Sequence, residues 1–200
     1  MRIAEFLTNT YAEGPGCRFC IWVQGCKHGC DGCFATDLWD YNGGTEISAE
    51  QLKEKLRAVK ETVCGVTFLG GEPFDQAGEL AEIAEYAKAC NLTVITFTGY
   101  TYAQLHTAGN PQWTRLLLNT DLLIDGRFEK DLIDYSRPLV GSSNQQFIFL
   151  TDRIAASEIA AYKNRIEIRS APNGKLYFNG MGNIQSLKKL MKKIEGAKHG

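Results

Sequence analysis

The sequence predicts an α/β fold built on a mainly parallel sheet, and three observations predict it. Apolar runs of strand length alternate with stretches whose apolar residues recur at helical spacing, which is the pattern of βαβ units. The strand candidates are continuous apolar runs, as expected where both faces of a sheet are covered. Glycine-containing turns follow several of them, at the strand ends beyond which ligands bind in such sheets.

The elements follow in chain order. "CIWVQ" (20–24) reads as a first strand that runs into a cysteine-rich loop. "ISAEQLKEKLRAVKE" (47–61) reads as a helix with Ser48 at the N-cap and Gln51 three residues on, a capping-box pattern. Its Leu52, Leu56 and Val59 share one face. Val66–Leu69 is a strand running into "GGEP", and "AGELAEIAEYAKAC" (77–90) is a helix with Leu80, Ile83, Ala84 and Ala87 on its buried stripe. "LTVITFTGY" (92–100), "DLLIDGRF" (121–128) and "QQFIFLT" (145–151) are further strands, with "YAQLHTA" (102–108) a short helix between the first two. "RIEIR" and "KLYFNG" are expected to pair as a hairpin around "APNG", and "NIQSLKKLMKKIEG" (183–196) closes the chain as a helix with a basic stripe of Lys188, Lys189, Lys192 and Lys193.

A chain of 200 residues suits one domain with a small appendage: a core over 1–150 and a C-terminal extension over 151–200, hairpin plus basic helix, packed on it. The net charge of −1 gives no reason to expect nucleic acid or an anionic membrane as partner. No apolar run approaches a membrane span, and the N-terminus does not read as a signal peptide. A cytoplasmic location is therefore expected, and in a reducing compartment clustered cysteines indicate metal or catalysis before disulfides.

Three of the seven cysteines, Cys26, Cys30 and Cys33, follow the spacing C-x3-C-x2-C. A structural zinc site takes four protein ligands, and His28 or Cys20 is available as a fourth, so zinc stays open on spacing alone. A four-iron cluster held by three thiolates leaves one iron without a protein ligand, an open position of the kind catalysis uses.

This cysteine loop, followed by "GGEP", resembles the signature of the radical S-adenosylmethionine (SAM) superfamily. "EGPGCRFCIWVQGCKHGCDGCFATDLWD" (13–40), "FTGYTYAQL" (97–105), "DLLIDGRFEKDL" (121–132) and "GSSNQQ" (141–146) are similar to blocks of the glycyl-radical-enzyme activases, in the same order over roughly residues 12–150. The resemblance implies an incomplete TIM-type (βα) barrel, the radical SAM core, whose open rim admits a loop of a large substrate. It implies a [4Fe-4S] cluster on Cys26, Cys30 and Cys33, reductive cleavage of SAM to a 5′-deoxyadenosyl radical, and transfer of that radical to a glycine of a partner. Gly70, Gly71 and Glu72 would contact the SAM amino group, with Glu72 offering an acceptor to the ammonium. Thr96, Thr98 and Gly99 would lie near the methionine carboxylate or ribose. Asp125 would sit beside a bound monovalent cation, while Arg127 stands where related activases carry lysine. Ser142 and Asn144 would face the SAM pocket.

The partner implied is a large glycyl-radical enzyme, foremost an anaerobic ribonucleotide reductase, with flavodoxin or ferredoxin as electron donor. Two rivals are weighed against it. A radical SAM enzyme acting on a peptide substrate, such as an epimerase, would share every cluster and SAM residue and would draw on a nearby thiol. A non-catalytic zinc module would use the cysteines alone. Cys64 and Cys90 read as buried small residues at helix ends, Arg18 as a contact for an anion or a partner backbone or as a plain surface arginine, and His28 as a solvated loop side chain.

Overall fold

The structure is a computed structural model that describes residues 1–170 and 175–182. Its elements run β1 (Arg2–Thr10), β2 (Arg18–Val23), β3 (Thr45–Glu46), α1 (Ala49–Val59), β4 (Gly65–Gly70), α2 (Ala77–Ala89) and β5 (Thr93–Phe97). They continue with α3 (Tyr102–Thr107), α4 (Pro111–Leu118), β6 (Leu122–Asp125), β7 (Gln146–Phe149), α5 (Ala156–Ala161), β8 (Ile166–Ser170) and β9 (Leu176–Gly180). Seven strands form one sheet in the order β3-β1-β2-β4-β5-β6-β7. The central four, β2, β4, β5 and β6, are parallel, whereas β1, β3 and β7 are antiparallel to their neighbours. The mainly parallel α/β sheet is thus present, with antiparallel edges that the apolar pattern does not distinguish.

Successive residues of a strand point to opposite faces, and the two cores follow that rule. Val94 and Leu123 join a core with Leu52 and Leu56 of α1, Leu80, Ile83 and Ala84 of α2, and Leu116 of α4. Ile95, Leu122 and Ile124 point the other way and pack with Leu139, Val140, Ile154 and Ile159. Helix α1 starts where expected, because the Ser48 hydroxyl accepts from the Gln51 N–H and the Gln51 side chain accepts from the Ser48 N–H.

Strands β8 and β9 form a separate antiparallel pair, the expected hairpin. Its "APNG" turn and the basic C-terminal helix fall outside the described residues. Glu167 accepts from the Thr10 hydroxyl at 2.6 Å and the Tyr11 N–H at 2.7 Å, and Asn179 donates to Thr10 Oγ1 at 2.9 Å. These bonds tie the hairpin to the end of β1. Among the described residues no helix is long and apolar enough to cross a membrane.

Two expectations are corrected. Arg18 is 1% exposed, because its guanidinium is spent inside the fold on Thr67 Oγ1, Thr93 Oγ1 and the Val66 carbonyl. Cys64 is exposed, because it stands in the turn just before β4, with its thiol 3.1 Å from the Cys17 carbonyl oxygen and 3.3 Å from that of Pro15.

Candidate active site

The parallel strands deliver four turns to one rim, and a cavity of about 480 Å³ lies there. Cys26, Cys30 and Cys33 line it, together with Gly70, Gly71, Glu72, Thr98, Gly99 and Arg127. The cysteine loop leaves β2 through Gly25, whose N–H donates to the Leu38 carbonyl, while the Cys26 N–H donates to the Trp39 carbonyl. Beyond the ends of β2 and β4 the two chains stay zipped: the Gly71 N–H donates to Val23 and the Glu72 N–H to Gly25, each at 2.8 Å. Gly70 needs to be glycine, since it has φ +102° and a Cβ there would press on Trp22 and Val23. A Cβ on Gly71 would collide with the Gly25 carbonyl oxygen, so the turn lies directly against the start of the cluster loop.

Glu72 is completely buried and its carboxylate is filled by protein donors. Oε1 accepts from the Phe74 N–H and the Thr98 hydroxyl, both at 2.9 Å. Oε2 accepts from the Gly99 N–H at 2.9 Å and from His28 Nε2 at 2.8 Å. A carboxylate has about four lone-pair positions, so none is left for an ammonium. The expected role of Glu72 as a direct acceptor is not what this geometry offers; it joins three segments instead. His28 is likewise not solvated: its side chain is 3% exposed, packed against Gly99 and edge-on to Tyr100. Next to it, Lys27 pairs with Asp75 at 3.1 Å, a second tie between the cysteine loop and the "GGEP" segment.

Four expected residues lie off the cavity lining. Thr96 shares a hydrogen bond with Thr120 at 2.9 Å. Asp125 accepts from the Tyr102 N–H at 2.6 Å and so holds the start of α3. Ser142 accepts from the Glu129 N–H, and Asn144 donates to the Arg127 carbonyl. The last three brace the turn that carries Arg127 and Phe128 to the rim.

The structure adds residues that the motifs do not name. Trp22, Phe97 and Phe128 wall the cavity, and Phe178, Asn179 and Gly180 of the hairpin line it too. Glu13 lines it as well; burial pushes its carboxyl up to about 7, against the Asn179 hydrogen bond. An isolated acid in "AEGPG" carries no sequence signal of this kind.

The donor set fits a cluster. Burial pushes the Cys26 thiol up to about 11 and raises Cys30, opposed at Cys30 by the Phe128 N–H and the Arg127 charge. A metal group bound here has to displace the protons of these thiols. Among the described residues no three His, Cys, Asp or Glu side chains converge as a single metal ion requires. Cys17, Cys20, Cys64 and Cys90 do not line the cavity, which leaves three thiolates.

Comparisons with known proteins agree. The family model described as "4Fe-4S single cluster domain" matches residues 12–148. The chain is 31% identical over 152 residues to the anaerobic ribonucleoside-triphosphate reductase-activating protein of Escherichia coli (strain K12), covering 72% of this chain and 96% of that protein. It is 28% identical over 149 residues to the protein of the same name from Enterobacteria phage T4, covering 72% and 91%. It is 34% identical over 128 residues to the pyruvate formate-lyase-activating enzyme of Clostridium pasteurianum, covering 62% and 50%.

Proposed function

Because the chain belongs to the 4Fe-4S single-cluster family of glycyl-radical activases, we propose that the cavity at its sheet rim is where a partner's glycine is activated. The protein is a radical SAM enzyme that uses a [4Fe-4S] cluster and SAM to generate a glycyl radical. The bound cofactors supply reductive cleavage of SAM and hydrogen-atom abstraction; the chain supplies position and shelter. Cys26, Cys30 and Cys33 would hold the cluster, and three thiolates would leave one iron open to SAM. The Gly70–Gly71 turn lets ligand and backbone approach, and Thr98 and Gly99 fix the opposite side through Glu72. Trp22, Phe97 and Phe128 exclude water from the reacting atoms. The finer picture of the sheet as an incomplete barrel belongs to the same proposal, as do the core over 1–150, the extension over 151–200, a cation beside Asp125 and a cytoplasmic location.

The observation that carries the reading is the three-thiolate loop facing a cavity that the "GGEP" turn also lines. The partner proposed is an anaerobic ribonucleotide reductase, after the relatives' names, with flavodoxin or ferredoxin as electron donor. A thiol placed to return a hydrogen atom would favour the peptide-modifying alternative, and the four remaining cysteines lie off the cavity. The test is anaerobic incubation of the reduced, reconstituted protein and SAM with the large reductase subunit. A glycyl-radical signal in electron paramagnetic resonance is expected, and SAM cleavage without any radical on the subunit would overturn the choice of partner.

A further inference from the structure

The β8–β9 hairpin is an addition to the shared core that nevertheless reaches the shared site. The family match ends at residue 148, and 72% of this chain accounts for 96% of the Escherichia coli relative. The hairpin lies beyond that match, yet its Ile166 and Phe178, with Met181 just after it, line the same cavity as the cysteine loop. We propose that this wall selects the partner, by receiving an apolar side chain next to the glycine of an inserted protein loop. The inference rests on the reading above that the cavity is where a partner's glycine is activated.

Three features carry the assignment. First, strand alternation divides the hairpin into two rows. Glu167 and Asn179 are cross-strand partners, and Arg169 shares their row. This row anchors the hairpin: Glu167 accepts from Thr10 and Tyr11, Asn179 donates to Thr10 and Glu13, and Arg169 donates to Glu5. Second, Ile166 and Phe178 belong to the other row, take no part in that anchoring and stay half-buried at the cavity. Apolar surface left partly open at a site is where an apolar ligand group gains by burial. Third, the hairpin is seated closely, because a Cβ on Gly180, at φ +97°, would overlap both Ala12 and the Arg165 carbonyl oxygen. The occupant follows from the chemistry. Glycine has no side chain for a pocket to hold, so a loop that carries one is selected through its neighbours. Cluster and SAM are common to the family, so what an added wall alters is the loop that enters beside them. An apolar neighbour fits Ile166, Phe178 and Met181, whereas a hydroxyl or charged neighbour would lose its hydration there without a partner.

Two short synthetic peptides test this, alike except that the central glycine is flanked by valines in one and by serines in the other. Their dissociation constants are measured by fluorescence anisotropy on anaerobically reconstituted protein holding SAM, without reductant. Wild type is expected to bind the valine peptide about tenfold more tightly, as for burial of one apolar side chain. The ratio of the two constants cancels any effect of a substitution on the cluster or on SAM. In Phe178→Ala, and in Ile166→Ala on the facing strand, the ratio is expected to fall to about one. Phe178→Leu, which keeps an apolar side chain, and Tyr177→Ala, on the anchoring row, are expected to retain the preference. Equal binding of the two peptides by wild type, no binding of either, or a ratio unchanged in Phe178→Ala and Ile166→Ala overturns the inference and leaves the hairpin as a strap. A full cluster that yields no 5′-deoxyadenosine with SAM and dithionite overturns the functional reading instead.

Discussion

At the scale of residues, close approach of backbone segments shapes the rim. Gly71 is set against the Gly25 carbonyl, and backbone cannot yield cheaply to a new methyl group. Gly71→Ala is expected to push the "GGEP" turn off the cluster loop and weaken SAM binding at least tenfold while iron content persists; equilibrium binding on reconstituted protein checks it. Glu13 gives a pH signature. Its folded-state pKa is raised from 4.5 to about 7, chiefly by burial. Its contribution to stability is therefore full below about pH 4.5 and is lost as the pH rises through about 7. Wild type should lose stability relative to Glu13→Gln across that window, by about 3 kcal/mol at most. Anaerobic denaturant titrations at both ends of the window measure it, and parallel curves would contradict it. The cysteine triad stood out in the sequence through its spacing, whereas the choice of iron over zinc came from the resemblance. The roles of His28 and Glu13 were not legible, because each depends on a partner distant in sequence: Glu72 for one, Asn179 for the other.

At the scale of elements, local signals and tertiary context divide the outcome. Helix α1 was legible through its capping box and apolar face, and Ser48→Ala should cost about 1 kcal/mol of stability in chemical denaturation. Strand β1 and helices α4 and α5 were not recognised. β1 mixes polar and apolar residues at mostly half-buried positions because it lies towards the edge of the sheet between β2 and the two-residue β3. α4 is only eight residues long, opened by Asn110 and Pro111, a start signal that outweighs its short apolar stripe. The β8–β9 hairpin was legible in outline, but its place in the cavity wall was not, since no local pattern encodes docking. It lies beyond residue 148, where the family match ends. Truncation after residue 164 should leave the iron content intact while lowering stability and slowing SAM cleavage, because Thr10, Tyr11 and Glu13 lose Glu167 and Asn179 and the cavity loses part of its wall. Iron analysis and denaturation on the truncated protein decide this.

At the scale of the molecule, the fold explains why distant motifs act together. Four parallel strands end at one rim, so a cysteine loop, a glycine turn, the β5 exit and the Arg127 turn converge without being neighbours in sequence. The alternation of strands and helices made that convergence legible. The antiparallel edges were not, because an apolar run does not state its direction. The central claim is that the three-thiolate loop holds a cluster with one open iron that cleaves SAM. The most direct test is iron and sulfide analysis after anaerobic reconstitution, followed by reduction with dithionite in the presence of SAM and chromatography for 5′-deoxyadenosine. The account predicts about four irons per chain and 5′-deoxyadenosine formation, both lost in Cys26→Ala. Zinc in place of iron, or a full cluster that yields no 5′-deoxyadenosine, would contradict it.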